Sequence, residues 1–404
     1  MHDVPEGWRQ VKLKDCGTWW SGGTPATEEP RFWGGDIPWI SAASLKDFRI
    51  TDSDRRVTRA GSMAGTKVVE PGTVLFIVRG MSLKKEFRVG VAQRPVAFGQ
   101  DCKALLPHTS IDGTFLGLAL KARERNILAM VDEAGHGTGR LPTDLMERLE
   151  IAIPADLAEQ RRIVETLDAL DKEAASANRE LAKWREVEAG FVASIFNVDF
   201  RSSWQTPTVG ALLEGNGSIQ IGPFGSQLHS YEYTSEGIPV IMPQDIIDRS
   251  ISPDKIARVS MRKCRELARH VLVSGDVVLG RRGDLSRCAV VHTENEGWLC
   301  GTGCLRIRLD FSRVLPEWFA LAYTQDYCQR QIAALAVGST MPNINSGIVK
   351  NLRVPVLPME MQRKAISALN AHRHGVSAAE LKISQLMHTK RGLADDLLSG
   401  RVRV

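Results

Sequence analysis

Residues 163–195 read IVETLDALDKEAASANRELAKWREVEAGFVASI, and residues 365–397 read AISALNAHRHGVSAAELKISQLMHTKRGLADDL. In both stretches, mostly apolar residues recur at alternating steps of four and three, and the two patterns lie 202 residues apart. The break in the first pattern at Glu188 recurs in the second at Lys390. An apolar stripe at this spacing is the seam of a coiled coil. The spacing therefore predicts two long helices that pair with one another, each about 50–60 Å in length.

Eight side chains of the two stripes are expected to carry this pairing. They are Leu167, Leu181, Trp184, Glu188, Leu369, His372, Ile383 and Leu386. Two separate surface helices are the alternative, but such helices usually carry a wider apolar face. An antiparallel pair places Glu188 opposite His372, and a parallel pair matches Glu188 with Lys390. We favour the antiparallel pair because the chain can then build a domain at the far end of the first helix and return along the second.

The remainder of the chain repeats at nearly the same offset, which indicates an internal duplication. The matches are collinear, and a chance origin does not explain five of them in order. They are Ile37–Ile40 with Ile238–Ile241, Pro71–Leu75 with Ser274–Val278, Arg79-Gly80 with Arg282-Gly283, Leu141-Pro142 with Met341-Pro342, and Gln160–Arg162 with Gln362–Lys364.

Each half begins with about 150 residues in which short strand-like runs are broken by glycine and proline. Val74–Val78 and Val277–Leu279 predict buried strands. Thr114–Met130 and Pro316–Leu335 have apolar residues at helical spacing. This mixture indicates an α+β fold rather than a parallel βαβ sheet. The predicted division is a mixed α/β domain at 1–154, a long helix at 155–198, a second mixed α/β domain at 199–355 and a second long helix at 356–404.

The composition is that of an ordinary globular protein, with 404 residues, 43% of them hydrophobic and 25% charged. The sequence has no run of about 18 apolar residues, so it predicts no transmembrane helix. Residues 1–15 lack the apolar core of a signal peptide. The seven cysteines are scattered and odd in number. We therefore expect a cytoplasmic protein with reduced thiols and no membrane partner.

Motifs that would indicate catalysis or a resident cofactor are missing from the sequence. It contains no P-loop, no dinucleotide fingerprint in a βαβ context, and no H-E-x-x-H or G-x-S-x-G motif. Cys300 and Cys304 have three residues between them and no second pair nearby, which does not favour zinc. We therefore expect no catalytic residue, no metal site and no cofactor in this chain, and a binding protein or scaffold is the best interpretation.

Positive charge is concentrated in two stretches at comparable places in the halves, although the whole chain carries only +5. Residues 79–94 hold five basic side chains against one acidic, and residues 255–287 hold nine against three. Clusters of this kind suit contacts with the phosphates of nucleic acid. Arginines that follow a predicted strand can also reach the O6 and N7 atoms of guanine. Solvated basic loops without a ligand remain the alternative.

Several motifs, taken in order, resemble the specificity subunit of type I restriction–modification systems. The resemblance extends over essentially the whole chain, and one departure is Met359-Glu360-Met361-Gln362 where the second Leu-Ala-Glu-Gln equivalent is expected. The motifs are Val4-Pro5-Glu6-Gly7-Trp8, Ser21-Gly22-Gly23-Thr24-Pro25, Ile37-Pro38-Trp39-Ile40-Ser41, Leu157-Ala158-Glu159-Gln160-Arg161-Arg162-Ile163, Gly222-Pro223-Phe224-Gly225-Ser226 and Gly338-Ser339-Thr340-Met341-Pro342-Asn343-Ile344.

The resemblance implies two target-recognition domains, each of which reads one half of a bipartite, asymmetric site in double-stranded DNA. It implies that the two long helices form an antiparallel coiled coil, set the gap between the halves and dock two modification subunits. Those subunits would carry S-adenosylmethionine, and restriction subunits would bring ATP and Mg²⁺. The chain itself would then be a non-catalytic subunit of the complex.

Basic and polar side chains near strand ends are the candidates for DNA contact. Gln220 and Gln227 are weaker candidates. The principal ones are Arg79, Lys84, Lys85 and Arg88 in the first half, and Gln244, Arg281, Arg282, Arg287 and Asn343 in the second. Two other functions are alternatives to a DNA-specificity subunit. A stand-alone methyltransferase predicts a [DNS]-P-P-[FYW] motif, which the sequence lacks, and a coiled-coil adaptor predicts no DNA specificity.

Overall fold

The computed structural model describes residues 5–134, 137–196, 204–213, 215, 217–335 and 343–403. By their internal contacts the residues form two compact units. The first unit is Met1–Glu180 together with Ala379–Val404, and the second is Leu181–Ala378. Each unit thus contains one globular part and a portion of both long helices. The sequence-based division, which separates helices from globular parts, stays a prediction, and its boundary at 198/199 lies outside the described residues.

The first unit is built around a five-stranded sheet whose strand Val74–Ile77 is wholly buried, as the sequence predicts to within one residue. The sheet has the order Gly17–Ser21, Cys102–Pro107, Val74–Ile77, Val89–Ala92 and Arg49–Ile50. A second sheet has the order Arg56–Val57, Trp33–Ile40, Val96–Phe98 and Val68–Val69. Trp8–Lys12 pairs with Glu150–Pro154, and a small sheet joins Asp132–Ala134, Thr138–Arg140 and Arg79–Gly80. The short α-helices are Arg59–Gly65, Gly113–Ala122, Glu124–Leu128 and Thr143–Arg148.

The second unit has a four-stranded sheet around the buried strand Val277–Gly280. Its order is Ser218–Ile221, Cys304–Arg308, Val277–Gly280 and Cys288–Val290. The second sheet has the order Tyr233–Thr234, Ala257–Val259, Ile238–Ile241 and Leu299–Cys300, and Ile246–Ile247 pairs with Ser250–Ile251. The short α-helices are Met261–Glu266, Pro316–Tyr323, Asp326–Leu335 and Ser346–Asn351. Most ladders in both units are antiparallel, as expected for an α+β fold.

Strand pairing supports the duplication that the sequence predicts. Trp39 pairs with Ala97 in a parallel ladder of the first unit, and Val240 pairs with Leu299 in a parallel ladder of the second. Trp39 and Val240 lie in the matched segments Ile37–Ile40 and Ile238–Ile241. Their partners Ala97 and Leu299 are separated by nearly the same number of residues as the matched segments. The two globular parts therefore repeat in their pairing pattern as well as in their motifs.

Both predicted domain helices are interrupted, which corrects the sequence-based bounds. The segment 114–130 divides at Arg123, whose φ of −93° and ψ of 13° leave the helical range. The Arg123 guanidinium donates to the carbonyl of Ala119 at 3.2 Å. The segment 316–335 divides after Tyr323, where Gln325 Nε2 donates to the Leu321 carbonyl at 3.0 Å. In both places a side chain satisfies a carbonyl near the helix end, so the break costs little.

The two long helices are Leu157–Ile195 and Met359–Ser399. At about 1.5 Å per residue they extend for roughly 58 and 62 Å. Within the first unit, Lys390 forms an ion pair with Asp171, and Lys382 lies 3.7 Å from Glu173. Ile163, Leu167 and Leu397 share one buried cluster. The two helical segments of this unit therefore contact each other and run in opposite directions.

The helical segments of the second unit also contact each other. The rings of Trp184 and His372 meet edge to face with centroids 5.4 Å apart, and Gly375 lies against the Trp184 ring. The ring of Phe191 lies on the other side of His372 with centroids 6.4 Å apart, so His372 lies beside the stretch Trp184–Phe191 that contains Glu188. The carboxylate of Glu188 binds Arg249 at 3.0 Å and lies 3.9 Å from Arg373. A guanidinium and a carboxylate form strong, charge-assisted hydrogen bonds.

Burial along the long helices follows the predicted stripes. Leu167, Leu181 and Leu369 are buried. Trp184, Glu188, His372, Ile383 and Leu386 are half-buried. Neighbouring positions such as Leu381 and Met387 are exposed to 60% and 65%. The eight predicted seam residues thus lie on the covered side of their helices.

Candidate nucleic-acid interface

In the first basic stretch, residues 79–94, some side chains bind other residues of the protein and others have no described partner. Arg79 lies in the strand Arg79–Gly80 at the edge of the small three-stranded sheet, and its side chain is exposed. Lys85 is likewise exposed, and neither side chain has a hydrogen bond or ion pair with a described residue. Lys84 forms an ion pair with Glu133 at 3.0 Å. Arg79 and Lys85 are therefore the cations of this stretch with the most freedom to meet a ligand.

Arg88 uses its guanidinium within the protein. Its Nη1 donates to the carbonyls of Ala42 and Ala43, both at 3.2 Å, and Glu86 forms an ion pair with it. Ala42 and Ala43 follow the strand Trp33–Ile40. Arg88 therefore holds the loop that leaves this strand, and its predicted DNA contact remains untested.

Arg287 has the corresponding role in the second unit. Its Nη1 donates to the carbonyl of Pro243 at 2.7 Å and to that of Ile246 at 3.3 Å, and Asp284 lies 3.4 Å away. These carbonyls follow the strand Ile238–Ile241, which matches Trp33–Ile40 in the repeat. Gln244, another predicted contact, lies exposed in the loop that Arg287 holds. In each unit, an arginine therefore holds the loop that follows the corresponding strand.

We expect Arg88→Ala to lower the free energy of unfolding by about 1–2 kcal/mol, because two carbonyls lose a charged donor at a partly covered site. Lys85→Ala is the matched control, since it removes an exposed charge without a partner and should change stability by less than about 0.5 kcal/mol. Chemical denaturation of the two variants tests this. Equal stability would show that the loop does not depend on Arg88.

Arg281 and Arg282 are neighbours in the chain but differ in surroundings. Arg281 is only 8% exposed, its Nε donates to Oδ1 of Asn343 at 3.4 Å, and burial lowers its pKa. Arg282 is exposed, and its backbone forms an antiparallel bridge with Asn343, whose side chain is also exposed. Arg282 and Asn343 therefore present polar groups outward, and Arg281 supports Asn343 from within.

Two backbone hydrogen bonds, one in each unit, show which residues of the two units correspond to one another. The amide of Leu141 donates to the Val78 carbonyl at 2.8 Å, and the amide of Ile344 donates to the Arg281 carbonyl at 3.0 Å. Leu141 therefore corresponds to Ile344, three residues beyond the sequence match to Met341-Pro342. Residues 341 and 342, with Gly338-Ser339-Thr340, lie outside the described residues, as do Gly135 and His136.

The same equivalence identifies a residue that the sequence analysis missed. Arg79 pairs with Arg140 in the ladder between Arg79–Gly80 and Thr138–Arg140. Arg282 forms its bridge with Asn343, so Arg140 and Asn343 occupy corresponding positions. Arg140 lies outside the basic stretch 79–94, and a search for local charge clusters cannot find it. Gln220 and Gln227, the weaker candidates, form local bonds with the Ile221 carbonyl and the Phe224 amide.

A buried glutamine joins the start of each long helix to its globular part. Gln160 is fully buried, donates to the carbonyls of Ser110 and Pro154, each at 3.0 Å, and accepts from the Asp112 amide at 2.7 Å. It therefore satisfies three backbone groups at the point where helix and domain meet.

Gln362 makes the corresponding three bonds in the second unit. It is also fully buried, donates to the carbonyls of Leu357 at 2.7 Å and Arg313 at 3.3 Å, and accepts from the Leu315 amide at 2.9 Å. The match of Gln160–Arg162 with Gln362–Lys364 was the sequence signal for this pair. Its role depends on segments about 50 residues away.

The described part of the chain has neither a cluster of metal-binding side chains nor a membrane-spanning helix. Its histidine, cysteine and carboxylate side chains form no group of three suited to a metal ion. Burial raises the pKa of Cys300 to about 12 and that of Cys304 well above its ordinary value. No helix in the described ranges is long and apolar enough to cross a membrane.

Comparison with known proteins gives a family match for the first part of the chain. Residues 5–183 match the family model described as the type I restriction modification DNA specificity domain. This segment is a type I specificity domain. The relationship predicted from the motifs is thereby confirmed. The family match ends at residue 183, inside the first long helix, so the segment includes the first globular part and most of that helix.

Curated relatives of the specificity domain have the same description. The chain is 29% identical over 161 residues to the type I restriction enzyme EcoR124I/EcoR124II specificity subunit of Escherichia coli. That match covers 39% of this chain and 40% of the relative, so it spans about two fifths of either protein. The MjaVIII specificity subunit of Methanocaldococcus jannaschii is 18% identical over 412 residues, which cover 99% of this chain and 94% of the relative.

Solved structures share the fold over the whole length. The type I restriction–modification S subunit from M. genitalium matches with a TM-score of 0.61 at 16% identity, covering 98% of this chain and 97% of that one. The HsdS subunit from Thermoanaerobacter tengcongensis matches with a TM-score of 0.50 at 17% identity, covering 99% of each chain. The fold therefore extends beyond the specificity domain at residues 5–183 to the second half of the chain.

Proposed function

We propose that this chain is the DNA sequence-specificity subunit of a type I restriction–modification complex, and that each of its globular parts reads one half of a bipartite, asymmetric target. The family match at residues 5–183 carries the proposal. The duplicated architecture supports a divided target. Arg79 and Arg282 lie exposed at matching places in the two units, where a guanidinium fork can meet a guanine in the major groove.

We infer that the two long helices form an antiparallel coiled coil that sets the gap between the half-sites. Three observations support this: the heptad stripes, the covered position of the seam residues, and the contacts Asp171–Lys390 and Trp184–His372 in the respective units. From the first contact to the second, the residue number rises along the first helix and falls along the second, as antiparallel pairing requires. The buried glutamines Gln160 and Gln362 would then orient each globular part on its helix.

We propose that the chain is non-catalytic and acts with two modification subunits and with restriction subunits. The modification subunits would bind S-adenosylmethionine, and the restriction subunits would bind ATP and Mg²⁺. The missing nucleotide-binding and methyltransferase motifs support this division of labour. We propose that such a complex acts in the cytoplasm.

Methylome sequencing of cells that express this chain with its modification subunit tests the proposed function. We expect methylated bases within one interrupted, asymmetric motif, and no such motif when this chain is omitted. Methylation without sequence preference would instead favour a coiled-coil adaptor. Binding of S-adenosylmethionine by the isolated chain would support a stand-alone methyltransferase.

We expect Arg282→Ala to relax recognition at one position of one half-site, with a loss of discrimination of about 1–3 kcal/mol there. The other half-site should keep its bases, since Arg282 lies in the second unit only. Arg265→Ala is the matched control, because Arg265 is also exposed in the same basic stretch but lies on the helix Met261–Glu266. Uniform weakening across all sequences would mark Arg282 as a phosphate contact.

A further inference from the structure

Two arginines face each other across the small sheet of the first unit, and neither forms an ion pair with a described acidic residue. Arg79 and Arg140 are paired residues of adjacent antiparallel strands, so their side chains lie on the same face. Both are exposed, and neither has a hydrogen bond or ion pair with a described residue. Asp132 is the ladder partner of Arg140 on its other side but forms no ion pair with it. Like charges directly opposite one another destabilise a sheet.

An external ligand with hydrogen-bond acceptors would relieve this repulsion. The ladder between Arg79–Gly80 and Thr138–Arg140 is short and lies at the edge of its sheet. β-Strands can enter the major groove of DNA, where base edges present acceptors.

The second unit has the same arrangement with one difference. Arg282 corresponds to Arg79, but the residue opposite it is Asn343 rather than an arginine. Asn343 is exposed, and its Oδ1 accepts a long bond of 3.4 Å from Arg281 Nε. The two units therefore share an arginine and differ in the group placed beside it.

We propose that this cross-strand residue, Arg140 in the first unit and Asn343 in the second, determines one base of each half-site. A guanidinium donates to O6 and N7 of guanine, and a carboxamide donates to N7 and accepts from N6 of adenine. The first half-site therefore contains a guanine read by Arg140, and the second contains an adenine read by Asn343. This inference rests on the proposed function and assigns the residues that make the two halves of the target different.

Methylome sequencing of the complete complex carrying Arg140→Asn tests the assignment. We expect the preference for guanine over the other bases to fall about tenfold at one position of the first half-site. The second half-site should be unchanged. Arg140→Lys should relax the same position, because lysine keeps the charge but lacks the planar fork. The reciprocal Asn343→Arg should alter one position of the second half-site only.

Arg148→Asn is the matched control, since Arg148 is an exposed arginine on the next helix, Thr143–Arg148, and undergoes the same change of charge. Its methylated motif should equal that of the wild type. Thermal unfolding of each variant separates misfolding from altered recognition.

Two results would overturn the inference while leaving the proposed function intact. One is an unchanged motif in folded Arg140→Asn. The other is a uniform loss of methylation with Arg140→Lys restoring it, which would mark a phosphate contact. A wild-type complex that methylates without sequence preference would overturn the proposed function itself, so the two failures are distinguishable.

Discussion

Replacing Gln362 by alanine is expected to lower the free energy of unfolding of the second unit by about 3 kcal/mol or more. The side chain is fully buried and serves the Leu315 amide and the carbonyls of Leu357 and Arg313. A buried backbone group that loses its partner costs about 1–3 kcal/mol. Three such groups lie at one junction, and alanine leaves a space that water cannot reach freely.

Hydrogen exchange of the full chain gives a local measure of this effect. The Leu315 amide is bonded to the Gln362 side chain at 2.9 Å, so its exchange should accelerate together with that of the start of Pro316–Tyr323. Arg363→Ala is the matched control, because Arg363 is the exposed neighbour on the same helix. Unchanged exchange at Leu315 would contradict the assigned role.

Gln160→Ala should have the same effect at the corresponding junction of the first unit, with the Asp112 amide as the reporter. The two single variants act in different units, so their effects should add. In the assembled complex, either variant loosens the attachment of a globular part to its helix. Methylation should then fall at the whole motif rather than at one base.

The second large effect concerns the gap in the target. Insertion of one heptad after Glu180 and one after Ala378 should abolish methylation of the wild-type motif. A new motif with the same two half-sites and a gap longer by about three base pairs should replace it. Seven helical residues add about 10.5 Å, and successive base pairs lie about 3.4 Å apart. A seven-residue insertion also keeps the seam in phase.

Methylome sequencing of the complex with the double insertion reads out both half-sites and the gap. A heptad inserted in the first helix alone is the control, since it displaces the partners Asp171 and Lys390 relative to Trp184 and His372. That variant should lose stability instead of acquiring a new motif. A change in the half-site bases, or an unaltered gap, would contradict the role of the helices as a spacer.

The sequence could not show which of the charged side chains are already bound to other parts of the protein. Arg79, Arg88, Arg282 and Arg287 are equivalent as charges in the sequence, but Arg88 and Arg287 hold loops that lie more than 40 residues earlier in the chain. Arg140 lies 61 residues beyond Arg79 and becomes relevant only through the ladder between them. Local charge density contains no information on such contacts.

The ion pair of Glu188 shows the same limit of sequence analysis. Heptad geometry predicts that Glu188 faces His372, but it does not predict that Arg249 from the globular part of the second unit reaches the carboxylate at 3.0 Å. A seam argument considers only the two helices. Any third element that packs on them can supply a stronger partner.

The duplication, the α+β class, the two long helices and the family could be inferred from the sequence alone, because each is recorded in local periodicity, self-similarity or an ordered set of motifs. The tertiary structure alone decided which cations are free, which residue lies beside Arg79 and Arg282, and how Gln160 and Gln362 join helix to domain. Hydrogen bonds and ladder register connect residues far apart in the chain. Their partners are therefore determined by packing, which no short stretch of sequence specifies.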